Sequence, residues 1–136
     1  MKVKQALMAP KRQGAAVAQQ PAVSEQHAQA ARAFNEANAA FRDQRWADAL
    51  ALAEKAVVLN TGLVVGYVLQ ARCHVRLDRL EAARDAFAAA LRLDPKQFSA
   101  WLELGNVSRR LGAMERAVQC YERAAACNPQ DGRGYL

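Results

Sequence analysis

Two histidines, three cysteines, scattered carboxylates and a regularly spaced set of arginines are the residues of this 136-residue chain that could do chemistry. Cys73-His74 is the one Cys/His neighbour pair. A thiol nucleophile and its base must face each other, and adjacent helix residues do not, so the pair is no catalytic dyad. Cys120 and Cys127 fall on one helix face and read as packing positions. With His27 and His74 they make no zinc-ligand spacing. An odd cysteine count without a secretory leader argues against a disulfide framework. Glu81, Asp85, Glu115 and Glu122 stand at short helical spacing from arginines, the pattern of a solvated face with local ion pairs. Gly132 and Gly134 precede nothing that could cradle a phosphate. These residues build no enzyme active site and call for no cofactor. What remains is Arg42, Arg76 and Arg110, each 34 residues from the next. A guanidinium offers a planar fork of donors suited to carboxylates.

The same interval governs the elements that must position those arginines. Tyr67, Trp101 and Tyr135 are 34 apart, as are Pro95 and Pro129. So are Ala49, Ala83 and Ala117, and Ala56, Ala90 and Ala124. Self-similarity at this period means stacked helical hairpins rather than one globular core. The composition agrees: 52% of residues are hydrophobic but only 7% aromatic, so alanine carries much of the apolar count. Three hairpins are expected, pairing about 24–42 with 47–60, 64–77 with 81–94, and 98–111 with 115–128. Ser24 is the expected first N-cap. Pro95 and Pro129 stop the second and third hairpins, and Thr61-Gly62 stops the first through a left-handed glycine cap. Gln44, Asp78 and Gly112 occupy equivalent points between the paired helices.

Residues 1–23 read as a flexible basic leader broken by Pro10, Gly14 and Pro21, with a short helical turn over Met1 to Met8. Lys2, Lys4, Lys11 and Arg12 supply four of the six net positive charges, so the basic balance is largely a property of this arm. It is too sparse to imply nucleic acid as a partner. No apolar run approaches the roughly 20 residues of a membrane span. Without a signal peptide the expected location is cytoplasmic.

Position by position the array resembles the tetratricopeptide repeat (TPR) family. Counting from Ala30, the third repeat carries Trp101, Leu104, Gly105, Ala117, Tyr121, Ala124 and Pro129 at positions 4, 7, 8, 20, 24, 27 and 32. The second carries Tyr67, Ala71, Ala83, Phe87, Ala90 and Pro95. The first keeps Ala37, Ala49 and Ala56, with Ala33, Ala53 and Thr61 at the aromatic, bulky and proline positions. Trp46, Leu80 and Met114 secure the register. Small residues at positions 8, 20 and 27 let paired helices approach closely.

The resemblance implies an all-α, right-handed superhelical α-solenoid of three helix-turn-helix hairpins. The expected domain covers residues 24–136, with repeats at about 30–63, 64–97 and 98–131 and a fourth begun at 132–136. It also implies that the first helix of each repeat lines a concave face. The peptide-binding residues expected there are Phe34, Asn38, Phe41, Arg42, Val68, Arg72, Arg76, Asn106, Arg109 and Arg110. Such a face suits an acidic or C-terminal peptide with an apolar anchor. The dicarboxylate clamp of chaperone-binding relatives would fall on Phe34, Asn38, Leu69, Ser99 and Glu103, and only Asn38 matches. The expected function is a non-catalytic protein-interaction scaffold that docks a peptide or partner helix. Two alternatives stand beside it. One is the N-terminal region of a larger bacterial glycosyltransferase or sulfotransferase, motivated by the unfinished fourth repeat. The other is a module that forms a homo-oligomer through its uncapped third repeat.

Overall fold

The computed structural model describes residues 22–127, and all their regular structure is α-helical. The leader's short turn, the Pro129 stop and the opening of a fourth repeat lie outside the described residues. The helices are α1 (Val23–Arg42), α2 (Trp46–Leu59), α3 (Val64–Arg76), α4 (Leu80–Leu93), α5 (Phe98–Arg110) and α6 (Met114–Cys127). They pair as α1/α2, α3/α4 and α5/α6, and each hairpin packs on the next to give a superhelical solenoid.

The turn inside each hairpin repeats with the sequence. Gln44, Asp78 and Gly112 all have positive φ, at 63°, 60° and 83°. The next residue's N–H reaches back to the last helical turn: Arg45 to the Ala40 carbonyl, Arg79 to His74 and Ala113 to Ser108, at 2.8–2.9 Å. This left-handed cap satisfies the carbonyls stranded at the end of α1, α3 and α5. It also starts the second helix of each hairpin at once, so α2, α4 and α6 begin at Trp46, Leu80 and Met114, one residue earlier than expected.

Two expected caps are corrected. α1 starts at Val23 behind Ala22, and no side chain caps it. Ser24 lies within the first turn, where Glu25 supplies the negative charge that suits a helix N-terminus. The stop after α2 uses no left-handed glycine; Gly62 is not among the positive-φ residues. Instead the Asn60 side chain accepts the Gly62 N–H at 3.1 Å. Asp94, 34 residues on, accepts the Lys96 N–H at 3.0 Å in the same way. An Asx turn, rather than backbone handedness, leads from one hairpin to the next.

Small residues set the helix spacing. Ala37, Ala71, Ala49, Ala83, Ala56 and Ala90 are fully buried, and Ala117 and Ala124 nearly so. Gly105 is tighter still: a Cβ there would stand 2.5 Å from Cε1 of Tyr121. Phe87, the largest fully buried side chain, sits in a cluster with Val68, Leu91, Leu104 and Val107 that joins the second and third hairpins. The cluster joining the first and second is alanine-based, with Leu50, Leu69 and Cys73. Tyr67 and Trp101 mark each junction alike, their polar atoms donating to the carbonyls of Thr61 and Pro95 at 3.3 and 2.6 Å. No helix among the described residues is long and apolar enough to cross a membrane.

Candidate functional site

An open groove of about 640 Å³ runs across α1, α3 and α5, the first helices of the three hairpins. Phe41 comes from α1, Arg72, Val75 and Arg76 from α3, and Glu103, Asn106, Val107 and Arg110 from α5. Residues near the C-terminal end of each helix share this wall because stacking in register brings equivalent turns side by side.

Five of the ten expected groove residues therefore come together: Phe41, Arg72, Arg76, Asn106 and Arg110. The other five do not line this groove. Val68 is a correction. It is 8% exposed and belongs to the core cluster that joins the second and third hairpins, because the third hairpin packs over this part of α3. Phe34 packs against the first core cluster. Asn38 is half-buried, while Arg42 and Arg109 are exposed outside this groove.

The arginines are not an equivalent ladder. Arg72 is held by Glu103 in a two-point fork, Nε donating to Oε1 at 2.8 Å and Nη2 to Oε2 at 2.6 Å. The hydrogen-bonded carboxylate raises the Arg72 pKa above its ordinary value against the opposing effect of burial. Arg110 donates to Asp78 at 3.2 Å, an exposed contact worth little by itself. Arg76 has a third environment. Its guanidinium lies 5.0 Å from the Trp46 ring centre and 5.7 Å from that of Phe41, and the two rings meet edge to face at 4.9 Å. No carboxylate among the described residues forms an ion pair with Arg76. Asn106 accepts the Tyr121 hydroxyl at 2.7 Å, which leaves its amide N–H groups for other partners.

Glu103 was missed as a groove residue. It entered only as a mismatch to the chaperone clamp, though its offset of 31 from Arg72 is the spacing that places neighbouring first helices side by side. The expected ion pairs of the second helices are corrected as well. Of these four carboxylates Asp85 is paired, with Arg84, while Glu81, Glu115 and Glu122 are exposed and form no ion pair among the described residues.

Cys73 and His74 are both buried. Burial pushes the Cys73 thiol up to about 11, which keeps it protonated. Burial lowers the His74 pKa, and its Nδ1 has no partner. No group of three or more His, Cys, Asp or Glu among the described residues could hold a metal ion.

A family model described as tetratricopeptide repeat matches residues 68–132. The protein bimA of Emericella nidulans is 30% identical over 92 residues, covering 67% of this chain. The chain spans only 11% of that relative's length. Among solved structures, the Arabidopsis OM64 TPR domain superposes with a TM-score of 0.76 at 21% identity, over 81% of this chain and 91% of that one. The first TPR of Spaghetti (RPAP3), bound to HSP90 peptide SRMEEVD, gives a TM-score of 0.76 at 19% identity, over 80% and 86%.

Proposed function

Because this chain belongs to the tetratricopeptide-repeat family, we propose that it is a non-catalytic interaction scaffold whose α1/α3/α5 groove docks an extended peptide or a partner helix. The observation that carries this reading is Arg76. It is a cation without an acidic partner, oriented by two aromatic rings, on the wall of a groove with apolar patches at Phe41, Val75 and Val107. Such a site suits a ligand with one carboxylate beside an apolar side chain. The amide N–H groups of Asn106 suit the carbonyls of an extended ligand backbone.

The arrangement argues for a ligand unlike the HSP90 peptide of the Spaghetti (RPAP3) structure. Two clamp positions carry Leu69, which is buried, and Glu103, whose charge would repel a second carboxylate. The three free thiols fit a reducing compartment such as the cytoplasm.

The test is binding of a degenerate peptide pool fixed at one Asp next to one Leu. Arg76→Ala with Phe41→Ala should weaken capture by about tenfold or more, as expected for a charge-assisted contact and its apolar neighbour. Helicity should be retained. Capture that survives both substitutions would remove the groove from the binding mechanism.

A second reading draws on Met114 and Val118, 58% and 53% exposed on α6. Leu50, the counterpart of Val118 in α2, is buried under the next hairpin. Stacking of a second copy on α6 would cover this face. Light scattering that finds only monomer at high concentration would exclude it.

A further inference from the structure

A second cleft, of about 320 Å³, opens between α4 and α6 with α5 beneath it. Its lining residues are distinct from those of the groove. Ala88, Leu104 and the Trp101 ring give it an apolar floor, and Arg84, Arg116 and Arg123 stand around it. Asp85 is its one acidic lining residue and takes Arg84 at 3.3 Å. Among the described residues no carboxylate pairs with Arg116 or Arg123. The cleft thus has a surplus of two positive charges.

Arg123 is held in place. Its guanidinium lies 5.3 Å from the Trp101 ring centre, and that ring is pinned by the hydrogen bond from its Nε1 to the Pro95 carbonyl. Both unpaired cations line the cleft together with Cys120. Burial raises the Cys120 thiol's pKa, and Arg116 and Arg123 each pull it back down. The repeat does not supply these charges. One period earlier the equivalents of Arg116 and Arg123 are Ala82 and Ala89, and two periods earlier Asp48 and Lys55.

We infer that this cleft binds a phosphorylated side chain of a partner protein. Its volume is at the lower end for a ligand pocket, room for one side chain rather than a peptide stretch. One phosphoryl group concentrates about −1.5 to −2 charges and three acceptor oxygens at a point, which matches the surplus. A single carboxylate would neutralise half of it. The guanidinium forks suit phosphate oxygens, and the apolar floor suits the methylene that carries them. The inference does not depend on the groove reading.

The chain's two tryptophans separate the sites: Trp101 lies in this cleft, and Trp46 touches Arg76 of the groove. The full chain, labelled with nitrogen-15, is titrated with a peptide pool degenerate except for a central phosphoserine. The Trp101 indole N–H signal should shift saturably while that of Trp46 stays in place. Arg116→Ala with Arg123→Ala should weaken the interaction at least about tenfold, with unchanged circular dichroism. Arg76→Ala should leave it intact. No shift at Trp101, or an equal shift with unmodified serine, overturns the inference. Equal binding of a glutamate pool would assign the cleft to acidic side chains instead. Inorganic phosphate that reproduces the shift at the same concentration would assign it to free phosphate. Movement of Trp46 alone would place the phosphopeptide in the groove.

Discussion

Arg42, Arg76 and Arg110 are identical in type and spacing, and nothing in the sequence distinguishes them. Their neighbours do: Arg76 rests on two rings, Arg110 meets Asp78 and Arg42 stands exposed outside the groove. The groove's individuality comes from contacts between hairpins, which a periodic reading treats as equivalent. His74 shows the same at the level of titration. Its folded pKa is lowered by burial, so the unfolded chain binds more protons as the pH falls below the ordinary value near 6.5. Stability contributed by the neutral ring is present above that value and is lost as the pH falls toward the folded pKa. Melting temperature should therefore drop on acidification below about 6.5, and His74→Gln should flatten that limb. An unchanged slope would mean that the ring titrates alike in both states. Asp94, lowered chiefly by its bond from Gln97, acts in the same direction only at more acid pH. Gly105 offers a steric test. Gly105→Ala gains helix propensity but drives a Cβ into Tyr121, so a net loss of about 1 kcal/mol is expected in urea denaturation. Tyr121→Leu should remove that loss, and a loss that persists would place the clash elsewhere.

At the scale of elements, the helices were legible because their signals are local. Alanines at fixed offsets, a proline stop and a turn residue each act within a few positions. The ends were less legible: Ser24 resembled a cap and is not one, and Gly62 resembled a left-handed stop and is not one. Short polar and glycine residues fit several turn geometries, and the one adopted depends on how the next hairpin docks. The turns inside the hairpins give the matching prediction. Gly112 has open space where a Cβ would go, so Gly112→Ala probes backbone handedness alone. It should lower stability by about 1 kcal/mol. Gln44 carries the same positive φ with a side chain present, so Gln44→Gly should be neutral or gain a few tenths of a kcal/mol. Equal losses at both sites would show that the two turns are not equivalent.

For the whole molecule, stability rests on stacking, since no hairpin encloses a core of its own. Phe87 is the point where this is most concentrated. Its counterpart in the first hairpin is Ala53 and in the third Tyr121. Phe87→Ala should cost about 3–5 kcal/mol, a large share of the roughly 5–15 kcal/mol that a small domain possesses. Trp46 and Trp101 report the outer hairpins separately. Both fluorescence transitions should move to lower urea, because the middle hairpin couples the ends. A shift confined to Trp101 would show that the first two hairpins hold together without that ring.

The sequence alone determined the period, the helical class, the number of hairpins in residues 22–127 and the small-residue positions where helices meet. Each of these follows from local propensity and from steric limits that recur every 34 residues. Tertiary structure decided which of the repeated polar residues are available. It drew Val68 into the core, tied Arg72 to Glu103, seated Arg76 on Phe41 and Trp46, and gathered Arg84, Arg116 and Arg123 around Trp101. Burial and charge pairing depend on what the neighbouring hairpin presents across the interface, and no periodicity within one strand of sequence encodes that distance.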